Sequence, residues 1–149
     1  MKTDSNYLPD FGRNYLHPTA GATVVGARTF LIAYNIVLNS SDIHIAKQIA
    51  TSIRSSSGGL PCVKAIGVNL KTKAKVQVSM NLTNFKVTSM QQVFDQVLNK
   101  ATTLKVTIAY SEIIGLVPRK ALPSNPASSL KLKDFSQNLI FENYLGEIL

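Results

Sequence analysis

The chain has 149 residues, 45% of them hydrophobic and 16% charged, which is typical of one globular domain and excludes a disordered or fibrous chain. Sixteen lysines and arginines against eight acids give a formal charge of +8, which favours anionic partners. Every apolar run is shorter than the ~18 residues of a membrane helix, and the first ten residues do not resemble a secretory signal. The single cysteine and two histidines favour neither a disulfide nor a metal site. We therefore expect a cytoplasmic protein without metal or membrane partner.

The first half of the chain predicts an extended segment, a strand and a helix. Residues 1–27 contain repeated prolines and glycines and are expected to be irregular. Residues 28–38 are rich in β-branched and aromatic side chains and predict a buried strand. Residues 42–55 predict an amphipathic helix, with Ser40 and Ser41 as candidate caps and Asp42 in its first turn. Its apolar stripe consists of Ile43, Ala46, Ile49, Ala50 and Ile53.

The second half predicts a hairpin, a helix, a fourth strand and a tail. Strands at 62–70 and 75–82 flank a connection at 71–74, and the second of them alternates between apolar and polar residues. A capping box and an apolar stripe predict a helix at 89–103. The remaining predictions are a strand at 105–111, a turn at 112–118, a Pro/Ser-rich linker at 123–130 and a short helix at 134–149.

The resulting order, β-α-β-β-α-β, is that of the ferredoxin-like α+β sandwich, with two helices on one face of a four-stranded antiparallel sheet. We expect residues 28–122 to form this unit, residues 1–27 to precede it as an extended segment, and residues 123–149 to follow as a linker and helix. The helices leave the other face of the sheet open to a ligand or partner.

The open face is expected to be polar. The alternation of the third strand places amides and hydroxyls there, and Thr107 lies at the start of the fourth strand. The candidate ligand-facing residues are Asn35, Gln77, Ser79, Asn81, Ser111 and Glu112. Such a face hydrogen-bonds a polar ligand, is solvated, or is covered by another subunit. Glu112 either orients a ligand or, as we favour, pairs with Arg28 or Arg119.

Few residues suggest catalysis or nucleic-acid binding. The lysines of 71–75 cluster at a hairpin, and the third strand lacks the aromatic residues of an RNA-binding sheet, so we expect no nucleic-acid partner. His44 falls on the polar side of its helix, His17 lies in a loop, and Cys62 begins an apolar strand as an expected buried thiol. These residues form no persuasive nucleophile–base pair.

Six segments in order resemble the glutamate formiminotransferase family, over roughly residues 8–122. They are PDFG at 9–12, HPTAGATVVGAR at 17–28, FLIAYN at 30–35, SSGGLP at 56–61, VSMNLT at 78–83 and SEIIGLVP at 111–118. The resemblance implies transfer of a formimino group from N-formimino-L-glutamate to tetrahydrofolate as co-substrate, in histidine degradation and one-carbon metabolism. It also implies two ferredoxin-like subdomains with folate held between them.

The resemblance places this chain as the C-terminal subdomain, preceded by the end of the N-terminal one. The family's catalytic histidine lies in the N-terminal subdomain, and no residue here matches it. The isolated chain is therefore expected to be inactive, with no catalytic residue assigned. Its expected partners are folate, N-formimino-L-glutamate and a separate N-terminal subdomain or a second copy. A non-catalytic folate- or metabolite-binding module, or a dimerisation module, is the alternative.

The resemblance also implies a folate-binding loop at residues 12–21. Arg13 departs from the pattern, since many members have proline there. The loop consists of Gly12, Arg13, Asn14, Tyr15, Leu16, His17, Pro18, Thr19, Ala20 and Gly21.

Overall fold

The computed structural model describes residues 8–147, so the first seven residues of the predicted extended segment and the end of the predicted 134–149 helix lie outside it. The main elements follow the predicted order. They are β1 (Ile32–Leu38), α1 (Ile43–Ile53), β2 (Val63–Leu70), β3 (Lys75–Leu82), α2 (Met90–Thr103) and β4 (Ile108–Ile114), followed by a single helical turn, α3 (Pro126–Ser129). No helix in this part of the chain is long and apolar enough to cross a bilayer.

The four strands form one antiparallel sheet in the order β2-β3-β1-β4. This arrangement confirms the predicted ferredoxin-like fold. The register places Ile36 opposite Val78 on β3 and opposite Ser111 on β4. Because directly paired residues project from the same face, the register assigns every strand residue to one of the two faces.

One face of the sheet carries the core, beneath α1 and α2. Ile32, Tyr34 and Ile36 alternate along β1 and are fully buried in this core. Burial of such side chains contributes about 1.5–3 kcal/mol each before the loss of chain entropy is counted. The apolar stripes of both helices close the layer, as their spacing predicts. Their fully or nearly buried members are Ala46, Ile49, Ala50, Ile53, Met90, Val93, Phe94, Val97 and Ala101.

Both predicted helix starts are capped. The Asp42 side chain accepts a hydrogen bond of 2.9 Å from the backbone N–H of His44. At α2, Ser89 and Gln92 form the complete capping box, with reciprocal bonds of 2.8 and 3.2 Å. Each cap satisfies N–H groups that the first helical turn leaves unpaired.

The fourth strand begins and ends three residues later than predicted. Lys105 adopts a left-handed conformation (φ 56°), and the N–H of Val106 still bonds to the carbonyl of Ala101 at 2.9 Å. The end of α2 thus takes up the residues expected to start the strand. Pairing with β1 continues to Ile114, and Gly115 then turns the chain with φ 82°. The predicted turn at 112–118 is therefore correct only for its second part.

The predicted linker at 123–130 ends inside the core, because Leu130 is fully buried. The chain then runs along the outer edge of β4. The N–H of Ser111 donates to the carbonyl of Lys131 at 2.8 Å, and its carbonyl accepts from Lys133 at 2.9 Å. The residues after α3 therefore cover one edge of the sheet.

The predicted helix at 134–149 is wrong for the described residues, which form two short 3-10 segments, Gln137–Leu139 and Phe141–Glu147. Val117 pairs with this stretch instead, through its N–H to Leu139 at 2.8 Å and its carbonyl to the N–H of Phe141 at 3.0 Å. An α-helix over these residues would use the carbonyl of Leu139 and the N–H of Phe141 for its own hydrogen bonds. Because both groups bond to Val117 instead, the helix does not form.

Candidate functional site

A hydrogen-bonded row of three polar residues crosses the centre of the open sheet face. Asn35 on β1 stands opposite both Ser79 on β3 and Glu112 on β4. Its Nδ2 donates to Glu112 Oε1 at 3.1 Å, and its Oδ1 accepts from Ser79 Oγ at 2.9 Å. We call Asn35, Ser79 and Glu112 the polar row. The register places all three of these candidate residues on the open face, and their role toward a ligand stays a prediction.

The polar row is held in a defined orientation. Asn35 is only 8% exposed, and its amide oxygen and nitrogen have distinct partners, which sets the direction of the amide. The second carboxylate oxygen of Glu112 has no hydrogen-bond partner among the described residues and is available to a ligand. Ser79 also retains acceptor capacity. The row therefore offers acceptors to a ligand that carries N–H or O–H donors.

Apolar side chains surround the polar row. The paired positions place Ile66 and Val68 of β2, and Ala33 of β1 with Ile114 of β4, on the same open face. Ile66 and Ile114 are 61% and 57% exposed. Gln77 is buried on this face and Asn81 is exposed, so the predicted amides are present but the surface is mixed rather than uniformly polar.

One end of the open face is covered by a lysine–tyrosine contact. Lys73, in the hairpin between β2 and β3, donates from Nζ to the Tyr110 hydroxyl at 3.0 Å. Lys133 approaches the same ring, with its Nζ 5.4 Å from the ring centre. The hydrogen bond from Lys73 to Tyr110 raises the pKa of this lysine. Tyr110 is not among the residues predicted for the open face, although its two-residue spacing from Glu112 places both on one face of β4.

Ser111 does not belong to the open face. It pairs with Ile36, lies among the helix-side residues and is fully buried. Its hydroxyl donates to the carbonyl of Leu130. Thr107 precedes β4 and accepts a hydrogen bond of 2.9 Å from Asn39. The prediction that Ser111 faces a ligand is wrong, because register and not polarity decides its side.

The predicted ion pair of Glu112 is also absent. Neither Arg28 nor Arg119 forms a salt bridge with it; among the side chains that the structure describes, the one salt bridge joins Lys133 and Asp134. Arg119 lies beyond β4, where its backbone N–H donates to Glu142 at 2.8 Å. Glu112 therefore keeps its carboxylate on the open face, next to Asn35.

The predicted folate loop, residues 12–21, is an exposed turn centred on His17. The Nδ1 of His17 accepts from the backbone N–H of Ala20 at 3.0 Å, and its carbonyl accepts from Gly21 at 3.1 Å. Gly21 has φ 69°, a conformation that glycine adopts without strain. Arg13 stacks over the ring of Tyr15. Residues 12–20 are all exposed, and Gly21 is half-buried. No hydrogen bond joins this loop to the polar row within the described part of the chain.

The other candidate reactive groups lie apart from one another. His44 is exposed on α1, as predicted, whereas Cys62 is half-buried rather than fully buried. Cys62 has φ 60°, and its carbonyl accepts from the N–H of Thr83 at 2.9 Å. Within residues 8–147, no group of three or more histidines, cysteines or acids could hold a metal ion.

Comparison with known proteins identifies the family. Residues 33–137 match the formiminotransferase domain. The chain belongs to the formiminotransferase domain family. The polar row lies within the matched residues, and loop 12–21 lies before them. This agrees with the resemblance carried by the six sequence segments.

The relatives are similar over most of this chain. It is 42% identical to the glutamate formimidoyltransferase of Streptococcus pyogenes serotype M1 over 143 residues, 95% of this chain and 48% of that protein. The glutamate formimidoyltransferase of Thermoplasma acidophilum is 42% identical over 93% of this chain and 46% of its own length. The formimidoyltransferase-cyclodeaminase of Gallus gallus is 42% identical over 78% of this chain and 22% of its own length. The chain thus spans about half the length of the glutamate formimidoyltransferases it matches.

Proposed function

We propose that this chain is the folate-binding half of a glutamate formiminotransferase. The observation that carries the proposal is its membership of the formiminotransferase domain family, together with 42% identity to a glutamate formimidoyltransferase over 95% of the chain. The ligands are then tetrahydrofolate, as co-substrate, and N-formimino-L-glutamate. The proposal carries with it a cytoplasmic location and a part in histidine degradation and one-carbon metabolism.

The polar row supplies chemistry suited to such ligands. The pterin part of a folate presents adjacent N–H donors, which match the acceptor oxygens of Glu112 and Ser79. Asn35, held between these two side chains, keeps both at a fixed spacing on the sheet. The apolar residues around the row can contact a flat ring. We propose that the open face forms one wall of the ligand site.

The transfer itself requires proton movement. The tetrahydrofolate amine attacks the formimino carbon, the amine loses its proton, and the glutamate nitrogen leaves after gaining one. A base positioned at the attacking nitrogen assists this exchange. His44 and Cys62 lie away from the polar row, and His17 uses Nδ1 within its own turn. We propose that the base belongs to a second subdomain that this chain does not contain.

The surface of this chain fits contact with that second subdomain. The open face carries exposed isoleucines beside the polar row, and the N-terminal segment exposes aromatic and aliphatic side chains. Phe11 is 95% exposed, and Tyr15 and Leu16 are also open to solvent. Clusters of this kind mark contact surfaces in soluble proteins. We propose that the second subdomain covers both regions and encloses the ligand between the two halves.

A chimeric enzyme tests the proposal. This chain replaces the matched 48% of the Streptococcus pyogenes relative, and formimino transfer to tetrahydrofolate is measured. The proposal predicts an active chimera, and predicts no transfer by this chain alone. A folded chimera without activity, or efficient transfer by the isolated chain, would contradict it. Binding of folinic acid by the chain with an inactive chimera would favour a non-catalytic binding module.

Two variants test the polar row within the chimera. Glu112→Gln removes the negative charge, and Ser79→Ala removes the hydroxyl. For each variant we expect the affinity for folinic acid, measured by calorimetry, to fall roughly tenfold or more. Asp95→Asn is the control, because Asp95 is exposed on α2 and bonds only to Gln91. An equal loss of folinic acid affinity in the control, or unchanged affinity in both polar-row variants, would show that the ligand does not bind at the open face.

A further inference from the structure

The two outer edges of the sheet differ in whether their backbone groups are paired with another segment. The outer edge of β4 is covered, since Ser111 exchanges backbone hydrogen bonds with Lys131 and Lys133 at 2.8 and 2.9 Å. No strand of residues 8–147 pairs with the outer edge of β2. Only at its first residue are the backbone groups taken up by a side chain, since the Ser55 hydroxyl bonds to the carbonyl and the N–H of Val63 at 2.8 and 3.0 Å. A free edge presents a row of backbone N–H and C=O groups that can pair with an added strand.

The features that usually protect a free edge are few in β2. The strand is 8 residues long, contains no proline, and carries a single charged residue, Lys64. Ile66, at its centre, is 61% exposed. Long edge strands with exposed apolar side chains are ready to accept another strand.

A basic groove runs beside this edge, between β2 and α1. It has a volume of about 370 Å³ and is lined by Lys47 and Thr51 of α1, by Arg54 directly after the helix, and by Ile66 and Gly67 of β2. Gly67 allows the close approach of the two elements, because a Cβ there would lie 2.5 Å from the backbone nitrogen of Lys47. The groove is thus part of the packing of α1 on the sheet.

The charges in the groove have no acidic partners. Neither Lys47 nor Arg54 forms a salt bridge with any side chain the structure describes. Arg54 Nε donates to Ser57 Oγ at 2.7 Å, which orients the guanidinium and leaves its other N–H groups available. A second copy of this chain on the same edge would oppose these cations with identical ones, so charge disfavours that occupant.

We propose that the β2 edge binds an extended acidic segment of a partner protein as a fifth strand. Alternate side chains of such a strand project to the same face. One set of acidic side chains meets Lys47 and Arg54, which lie two helical turns, about 10 Å, apart. The other set is aliphatic and meets Ile66 and Val68 on the open-face side. This inference does not depend on folate binding or transfer.

A synthetic peptide of four Glu-Val repeats, labelled with fluorescein, is the probe. We expect it to bind the full chain in fluorescence polarisation and to slow hydrogen exchange of β2 backbone amides. The matched peptide with proline at a central valine cannot continue the strand pairing and is expected to bind at least tenfold more weakly. Equal affinity of the two peptides, no binding, or exchange protection confined to other strands would overturn the proposal.

Charge reversal provides the second arm. Lys47→Glu with Arg54→Glu is expected to weaken peptide binding about tenfold or more. Lys86→Glu with Lys100→Glu is the control, since both lysines are exposed and lie outside the groove. Thermal unfolding confirms that each variant is folded. An equal loss of peptide affinity in both double variants would show attraction to net charge alone and would overturn the proposed site. Edge-to-edge dimerisation of the chain that blocks peptide binding would also overturn it.

Discussion

Lys73, in the hairpin between β2 and β3, donates a hydrogen bond to the hydroxyl of Tyr110 on β4, 3.0 Å away, although β1 lies between β3 and β4. The lysine side chain therefore reaches across the end of the open face. Val37 on β1 pairs with Gln77 and Tyr110, so it projects from that face, and it is nevertheless fully buried. A long cationic side chain can cover apolar surface in this way while its ammonium group stays in water.

Substitution of Lys73 is expected to expose Val37. In Lys73→Ala the methylene chain and the hydrogen bond to Tyr110 are both lost, so a soluble paramagnetic probe should broaden the Val37 methyl signals in NMR spectra more strongly than in the parent chain. Lys71→Ala is the control, because Lys71 lies in the same hairpin without a side-chain contact to Tyr110. The same broadening in both variants would show that Lys73 does not cover Val37.

The burial of Tyr34 leads us to expect that the folded chain loses stability at alkaline pH. Burial beneath the helices raises the pKa of Tyr34 above the ordinary value, which is about 10 in an unfolded chain. The folded state then holds a proton that the unfolded state releases, so its contribution is complete below about pH 10 and is lost as the pH rises further. The expected loss is about 1.4 kcal/mol for each pH unit above that value.

Tyr34→Phe isolates this effect, because all other titrating groups stay the same. Denaturant unfolding of both chains between about pH 8 and pH 11 should give curves that diverge only above about pH 10, with the parent losing stability faster. The hydroxyl lies 3.5 Å from the carbonyl oxygen of Leu130, so its removal has a small effect at neutral pH. Parallel curves over the whole range would contradict the prediction.

The sequence predicts the fold well where burial imposes a strict period. The alternation along β3 assigns Ser79 to the open face, and the spacing of Met90, Val93 and Val97 defines the buried stripe of α2. These patterns depend on which side of an element faces the core, which a single strand or helix already encodes.

The sheet face that each β4 residue occupies is harder to predict from the sequence, because the residues IAYSEII do not alternate by polarity. Only the register with β1 shows that Ser111 is buried while Glu112 is on the open face. The register itself depends on the left-handed Lys105 at the end of α2 and on an irregularity between Val37 and Leu38. The contact of Lys73 with Tyr110 likewise depends on strand order, which no local pattern reveals.

Gly67 is expected to be sensitive to the smallest side chain. In Gly67→Ala the new Cβ would lie within 3 Å of the backbone of Ala46 and Lys47, atoms that can move only if α1 shifts. We expect a loss of about 1–3 kcal/mol in the free energy of unfolding, measured with denaturant. Gly26→Ala is the control, with nothing within 4 Å of its Cβ and an ordinary backbone conformation. Equal stability of the two variants would show that α1 does not pack this closely on β2.

Ser111 is expected to secure the tail against β4. Its buried hydroxyl donates to the carbonyl of Leu130, so Ser111→Ala leaves that carbonyl without this partner. We expect a loss of about 1–3 kcal/mol in stability and faster proteolytic cleavage after Lys131 and Lys133, since the backbone pairing there depends on the tail lying against the strand. Ser128→Ala is the matched control, because its exposed hydroxyl bonds only to the nearby carbonyl of Asn125 at 3.3 Å. Cleavage at the same rate in both variants would mean that the backbone pairing alone holds the tail.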